Sequence, residues 1–196
     1  MNLVEMRARV RQDLQDEDPA DYHWTDDQID GNVLRAATEY SNVRPIEQED
    51  DVATTANDRE LDVSTLTDLI RVVSIEFPIG YREPHLQRFS FYAGKVHMID
   101  EGTGADARVR WHRKHVLAAG SSTIPVEHDE IIILGATGYL AKSAAAYTVD
   151  RASIAGRWGN ISYRAWGQER LGRYDAALAA LSRRVTRRTL YTEASM

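Results

Sequence analysis

Two capped, amphipathic helices at the start of the chain, parted by an acidic elbow, constrain the fold more than any other feature. Asn2 and Glu5 have capping-box spacing, and Leu3, Met6, Val10 and Leu14 then recur at helical intervals. Thr25 and Gln28 repeat the box, and Ile29, Val33, Ala37 and Tyr40 form a second stripe that Pro45 stops. Between the two lies DLQDEDPADYHWTDDQID, where Pro19 blocks helix continuation and Asp26 and Asp27 suit the positive end of the next helix. A short helix pair with an apolar stripe needs partners, yet the next strongly helical segment does not begin until Pro125. The core must therefore close around a long inserted segment of another kind.

The insertion has alternating periodicity from about Asp51 to Leu117. Val52 to Thr55 and Glu60 to Val63 flank the turn residues Asn57 and Asp58, which predicts a hairpin. Leu69 to Phe77 is the strongest strand, rich in β-branched residues and halted by Pro78 and Gly80. Arg88 to Tyr92 and Val96 to Ile99 are expected to pair across Ala93-Gly94-Lys95, and Arg108 to His112 follows a turn-rich loop. Short strands with turns at this spacing predict a small antiparallel sandwich or barrel.

Helices return after Pro125. Ile131 to Val149 is almost entirely apolar or small, with Lys142 as its only charge. Its Ala, Gly, Ser and Thr content, and the acidic residues directly before it, predict a helix buried on most sides rather than a membrane span. Ala155 to Asn160 reads as a loop. A last helix is expected from about Ser162 to Arg187, a length of roughly 40 Å. The fold class expected is α+β: a four-helix bundle (residues 1–50 and 118–187) with an inserted antiparallel β sandwich or barrel (51–117) and a C-terminal arm (188–196).

Composition limits function. The 196 residues are 43% apolar, enough for one core of good size. A net charge of −6 argues against sequence-wide nucleic-acid binding. The chain has no cysteine, which excludes disulfides, thiolate catalysis and cysteine-ligated metals. Glu5 interrupts the first apolar run and no small-residue cleavage site follows, so a soluble, cytosolic product is expected.

The search for chemistry yields little. His112 and His115 are three apart without a third ligand, and read as a solvated strand end. His128 lacks the second histidine of a zinc-protease helix. Asp16, Glu17 and Asp18 lack the glycine and terminal glutamate of an EF-hand loop. Gly102-Thr103-Gly104 lies between strands with no P-loop lysine, and Ser121 and Ser122 have no nucleophile elbow around them. No acid, base and pocket assemble, so neither an enzyme nor any cofactor or metal is expected. Glu47, Glu49, Asp50 and Asp51 read as a solvated acidic loop after Pro45. Arg183, Arg184, Arg187 and Arg188, followed by Leu190 and Tyr191, read either as cations matched to a helix C-terminus or as a docking arm that orders on a partner.

The opening VEMRARVRQDLQDEDPADYHWTDDQIDGNVLRAATEYS resembles the N-termini of tailed-bacteriophage head–tail connector proteins, or adaptors. The similarity continues in TLTDLIRVVSIEFP, FSFYAGKVHMID, IPVEHDEIIILGATGYLAKSAAAYTV and YRAWGQERLGRYDAALAALSRR. The resemblance implies a structural virion protein at the head–tail interface (the virion neck), assembled in the host cytoplasm as a ring, commonly of twelve subunits, beneath the portal. Its implied partners are the portal protein, further copies of itself, the next tail or stopper protein, and double-stranded DNA that passes through the channel without sequence-specific binding. No membrane is implied. The arm at Arg183, Arg184, Arg187, Arg188, Leu190 and Tyr191 would then dock on the portal. The acids Asp16, Glu17, Asp18, Glu47, Glu49, Asp50 and Asp51 could face the channel and keep phosphates from sticking. Competing expectations are a tail-completion or stopper protein and, from a different class, a cytosolic ligand-binding module.

Overall fold

A computed structural model describes the backbone of residues 1–148 and 163–193, and the side chains of 1–144 and 164–182. The chain divides into two compact units, residues 1–44 with 115–196, and residues 45–114.

The first unit is helical. α1 (Leu3–Leu14) and α2 (Asp26–Val43) both start with complete capping boxes, Asn2 with Glu5 and Thr25 with Gln28. α1 ends at Gln15, whose left-handed backbone (φ 55°) lets its N–H and that of Asp16 return to carbonyls of the last turn. After a single 3₁₀ turn at Val126–His128 come α3 (Asp129–Thr148) and α4 (Tyr163–Glu193). The expected loop at Ala155 to Asn160 lies outside the described residues. α4 runs past the expected stop at Arg187, and no glycine or proline follows Gly172 to interrupt it.

α3 is the common neighbour of the other three helices. Ile132, Ile133, Ala136, Leu140 and Ala141 are buried along it, which accounts for its apolar and small composition. Gly135 and Gly138 let α3 approach closely: a Cβ on Gly135 would lie 2.9 Å from Ala36 Cβ, and one on Gly138 2.8 Å from Leu171 Cγ. The Tyr174 hydroxyl, on α4, donates to the Ala36 carbonyl of α2 at 2.8 Å. Among the described residues, no helix is long and apolar enough to cross a membrane.

The second unit carries seven strands: β1 (Ile46–Ala53), β2 (Glu60–Asp62), β3 (Leu69–Glu76), β4 (Leu86–Gln87), β5 (Phe89–Tyr92), β6 (Lys95–Met98) and β7 (Asp106–Arg113). They form two antiparallel sheets, ordered β1-β7-β3-β4 and β2-β6-β5. Leu61, Val96, Met98 and Phe89 from one sheet share an apolar core with Ile75, Ala107, Val109 and Trp111 from the other. The β5–β6 hairpin forms as expected, turning at Ala93 (φ 51°) and Gly94 (φ 77°).

The expected architecture is corrected on three points. The helices are not arranged as a four-helix bundle, since they measure 12, 18, 20 and 31 residues and three of them gather on α3 instead of forming a ring of equals. The β unit is two open sheets rather than a closed sandwich or barrel, because the end strands of each sheet do not pair and β2, β4 and β5 are only three, two and four residues long. Finally, Val52–Thr55 and Glu60–Val63 do not pair with each other. The acidic run is strand, not loop: β1 pairs with β7 from Ile46↔Arg113 to Ala53↔Asp106, and β2 pairs with β6. The turn between them is held elsewhere, by Thr54 N–H on the Ala105 carbonyl and Asn57 N–H on the Gly102 carbonyl. A Cβ at Gly102 would collide with the Thr55 carbonyl oxygen, so only glycine allows that approach.

Candidate functional site

Two polar clusters and an arginine-rich helix end contain the residues singled out by sequence. In the elbow, Asp16 is buried (2% exposed). Its carboxylate accepts from Arg11 Nη1 at 2.6 Å and from the backbone N–H of His23 at 2.7 Å and Trp24 at 3.3 Å. Arg11 also donates to Asp26 at 2.6 Å and to the Trp24 carbonyl at 3.0 Å, and its guanidinium lies 3.6 Å from the Tyr22 ring centroid. Arg7, one turn earlier, reaches Asp30 and Asp26. The hydrogen bond from Arg11, then the Arg7 charge, holds the Asp26 carboxyl below the usual carboxylate range. The elbow is thus a polar core joining α1 to α2. Glu17 and Asp18 remain on its exposed side.

On β1 the acids split by strand parity. Glu47, Glu49 and Asp51 stand opposite His112, Arg110 and Arg108 of β7. Arg110 Nε donates to Glu49 at 2.7 Å and Arg108 Nε to Asp51 at 3.0 Å, while Arg110 also reaches Glu76 on β3 at 3.4 Å. Asp50 faces the other way and accepts from the buried indole Nε1 of Trp111 at 2.7 Å. Sequence alone flagged the acids and missed their partners. The signal was available in β7, whose RVRWHR alternates cation with bulky apolar residue.

Three histidines, His112, His115 and His128, bond to neighbours within the fold. His112 is not at a solvated strand end as expected, but buried on β7, where Nδ1 accepts from Arg71 Nε at 3.0 Å. Burial, reinforced by the Arg71 charge, pushes its pKa down. His115 sits with Nε2 3.0 Å from the Arg44 carbonyl and Nδ1 2.9 Å from that of Thr123, and its backbone N–H donates to Ser41 Oγ. Burial lowers its pKa as well. The Tyr40 hydroxyl lies 2.7 Å from His128 Nδ1, and burial pushes Tyr40 up to about 12. Among the described residues no three His, Asp or Glu side chains stand where they could share a metal ion.

Arg183, Arg184, Arg187, Arg188, Leu190 and Tyr191 fall on the helical backbone of α4, and their side chains lie outside the described ones. No protein-family model and no curated protein sequence matches the chain.

Proposed function

We propose that this protein is a structural assembly component of the head–tail adaptor type, acting by docking on a portal ring and oligomerising there. The observation that carries the reading is the coincidence of sequence and element. The five segments that resemble adaptors correspond to α1 with α2, to β3, to the β5–β6 hairpin, to α3 and to α4. The commitment of Asp16, Asp26, Asp30, His112 and His115 to structural bonds also supports assembly over turnover.

In this reading α4 carries the docking end, with the arginines from Arg183 onward meeting an acidic or helix-terminal surface of the portal. The exposed Glu17 and Asp18 are suited to face packaged DNA, where negative charge suppresses phosphate adhesion. The test is electron microscopy of the purified protein mixed with the portal ring from the same virus, alongside a chain truncated before Arg183. Decorated portals with the full chain, and bare portals with the truncated one, are expected. An undecorated portal with the full chain would sink the reading, and binding by the truncated chain would sink the docking role of the helix end.

A further inference from the structure

β5 ends its sheet with an edge that nothing guards. The other open edges of the β unit are each protected in some way. β1 carries Glu47, Glu49, Asp50 and Asp51, β2 carries Glu60 and Asp62, and β4 is only two residues long. β4 covers β3 at Ile75 and Glu76 alone, and two register shifts, between Leu69 and Arg71 and between Val72 and Ser74, break the rest of that edge. β5, Phe-Ser-Phe-Tyr, has no charge, proline or bulge.

The hairpin fixes which groups of β5 face outward. Ala93 and Gly94 are its turn residues, so Tyr92 and Lys95 exchange backbone bonds, as do Ser90 and His97. The Ile99 N–H continues the series to the Arg88 carbonyl at 3.3 Å. The N–H and C=O groups of Phe89 and Phe91 therefore point away from β6, toward the open edge. Their side chains share a face with their buried partners Met98 and Val96. Phe89 packs on the apolar core, whereas Phe91 is 50% exposed. Ser90 and Tyr92 lie on the opposite face, and Tyr92 is 77% exposed.

We propose that this edge takes the same edge of a second copy of the chain, as an antiparallel pair centred on Ser90. In that register Phe89 and Phe91 of one copy exchange backbone bonds with Phe91 and Phe89 of the other. Each half-exposed Phe91 then gains an aromatic neighbour on the core-facing side. On the outer face each Arg88 stands opposite the other copy's Tyr92, a cation against an aromatic ring, and the two Arg88 side chains lie at opposite ends of the joint. Both faces of the strand thus match themselves in a single register. Arg82 and Arg88 are balanced by Glu83 and Asp100, so no net charge opposes the approach. β1 as the occupant would bring carboxylates to both faces, Asp50 on one and Glu49 and Asp51 on the other, and set acids beside Phe91. The contact is isologous and closes at two copies, so it goes beyond the adaptor reading and does not rest on it. A strand of four residues makes a small joint, and the dimer forms only as concentration rises.

The absence of native cysteine allows a direct test by oxidative cross-linking in concentrated full-length protein. Ser90→Cys, at the exposed centre of the joint, is expected to give a covalent dimer and no larger multimer, while Gln48→Cys on the exposed β1 edge gives none. Sedimentation of the unaltered chain should show monomer giving way to dimer as concentration rises. Tyr92→Arg sets like charges against each other and should weaken dimerisation about tenfold without moving the melting temperature. Adding Arg88→Glu to the same chain should restore association. A chain that stays monomeric throughout and yields no Ser90→Cys dimer would overturn the proposal, as would cross-linking through Gln48→Cys in its place. A loss with Tyr92→Arg that Arg88→Glu fails to repair would overturn the register centred on Ser90.

Discussion

Arg11 and Asp16 form a 2.6 Å ion pair whose side chains are only 8% and 1% exposed, and the Trp24 carbonyl and the backbone N–H groups of His23 and Trp24 bond to the same pair. Arg11 keeps a second carboxylate in Asp26, whereas Arg11 is the cation paired with Asp16, so removing Arg11 leaves the Asp16 charge buried and uncompensated. Arg11→Met should therefore cost about 3–5 kcal/mol, the range for a broken buried pair. Urea unfolding checks this: the midpoint should fall while the slope is unchanged. Arg11→Met combined with Asp16→Ala should lose much less than the two single losses together, because no orphaned charge then remains. Equal, additive losses would show that the pair is not the organising contact of the elbow.

The glycines of the helical unit divide by what surrounds them. A Cβ at Gly135 would meet Ala36 Cβ at 2.9 Å and the Tyr174 ring at 3.0 Å, neither of which can swing aside. Gly135→Ala should destabilise, since overpacking costs about 1–3 kcal/mol and the gain in helix propensity returns only about 1. Gly31, inside α2, has nothing within 4 Å of such a Cβ, so Gly31→Ala should stabilise by about 0.5–1 kcal/mol. Melting temperatures of the two variants moving in the same direction would refute the close α2–α3–α4 packing.

Acid sensitivity should begin with the histidines. Burial depresses the folded-state pKa of His112 and of His115; the Arg71 charge adds to the effect at His112, while hydrogen bonds to the Arg44 and Thr123 carbonyls oppose it at His115. An unfolded imidazole takes up its proton near about 6.5, before the folded one does. Protons are then bound preferentially by the unfolded chain, so stability is fully present above that pH and declines as pH falls from there toward the folded pKa values. Denaturation midpoints measured from pH 7.5 to 5 should show this decline, and His112→Asn or His115→Gln should flatten it. The Asp26 carboxyl, held low by Arg11 and Arg7, contributes stability that is fully present above the ordinary carboxylate range and is lost as pH falls through its folded pKa, below the histidine window.

What could be read from sequence was local. The capping boxes at Asn2 and Thr25, the stop at Pro45 and the turn at Ala93-Gly94 depend on neighbours in the chain, and all were legible. What escaped depends on distant pairing. Val52 to Thr55 looked like the partner of Glu60 to Val63 because only a turn separates them, yet β1 pairs with β7, which lies more than fifty residues away. Four apolar helical stretches suggested a bundle, but the sequence does not reveal that α3 would be shared by the other three. In the candidate site, the acids of the elbow were visible, whereas the burial of Asp16 follows from Arg11 and the Trp24 backbone, which converge only after folding.

The acidic run of β1 offers a test in which two adjacent carboxylates should behave differently. Sequence treats Asp50 and Asp51 alike. Strand alternation sends Asp50 toward the Trp111 indole, which is 5% exposed, and Asp51 toward Arg108 on the opposite, solvent-facing side. Asp50→Ala orphans a buried N–H donor, a loss of about 1–3 kcal/mol, and should alter Trp111 emission in the folded protein. Asp51→Ala removes one member of an exposed pair whose attraction water already screens, and its midpoint should barely move. Asp50→Asn keeps an acceptor for the indole and should recover most of the loss. If Asp51→Ala proved the more damaging of the two, the β1–β7 register from Ile46↔Arg113 to Ala53↔Asp106 would have to be shifted by one residue, exchanging the two faces.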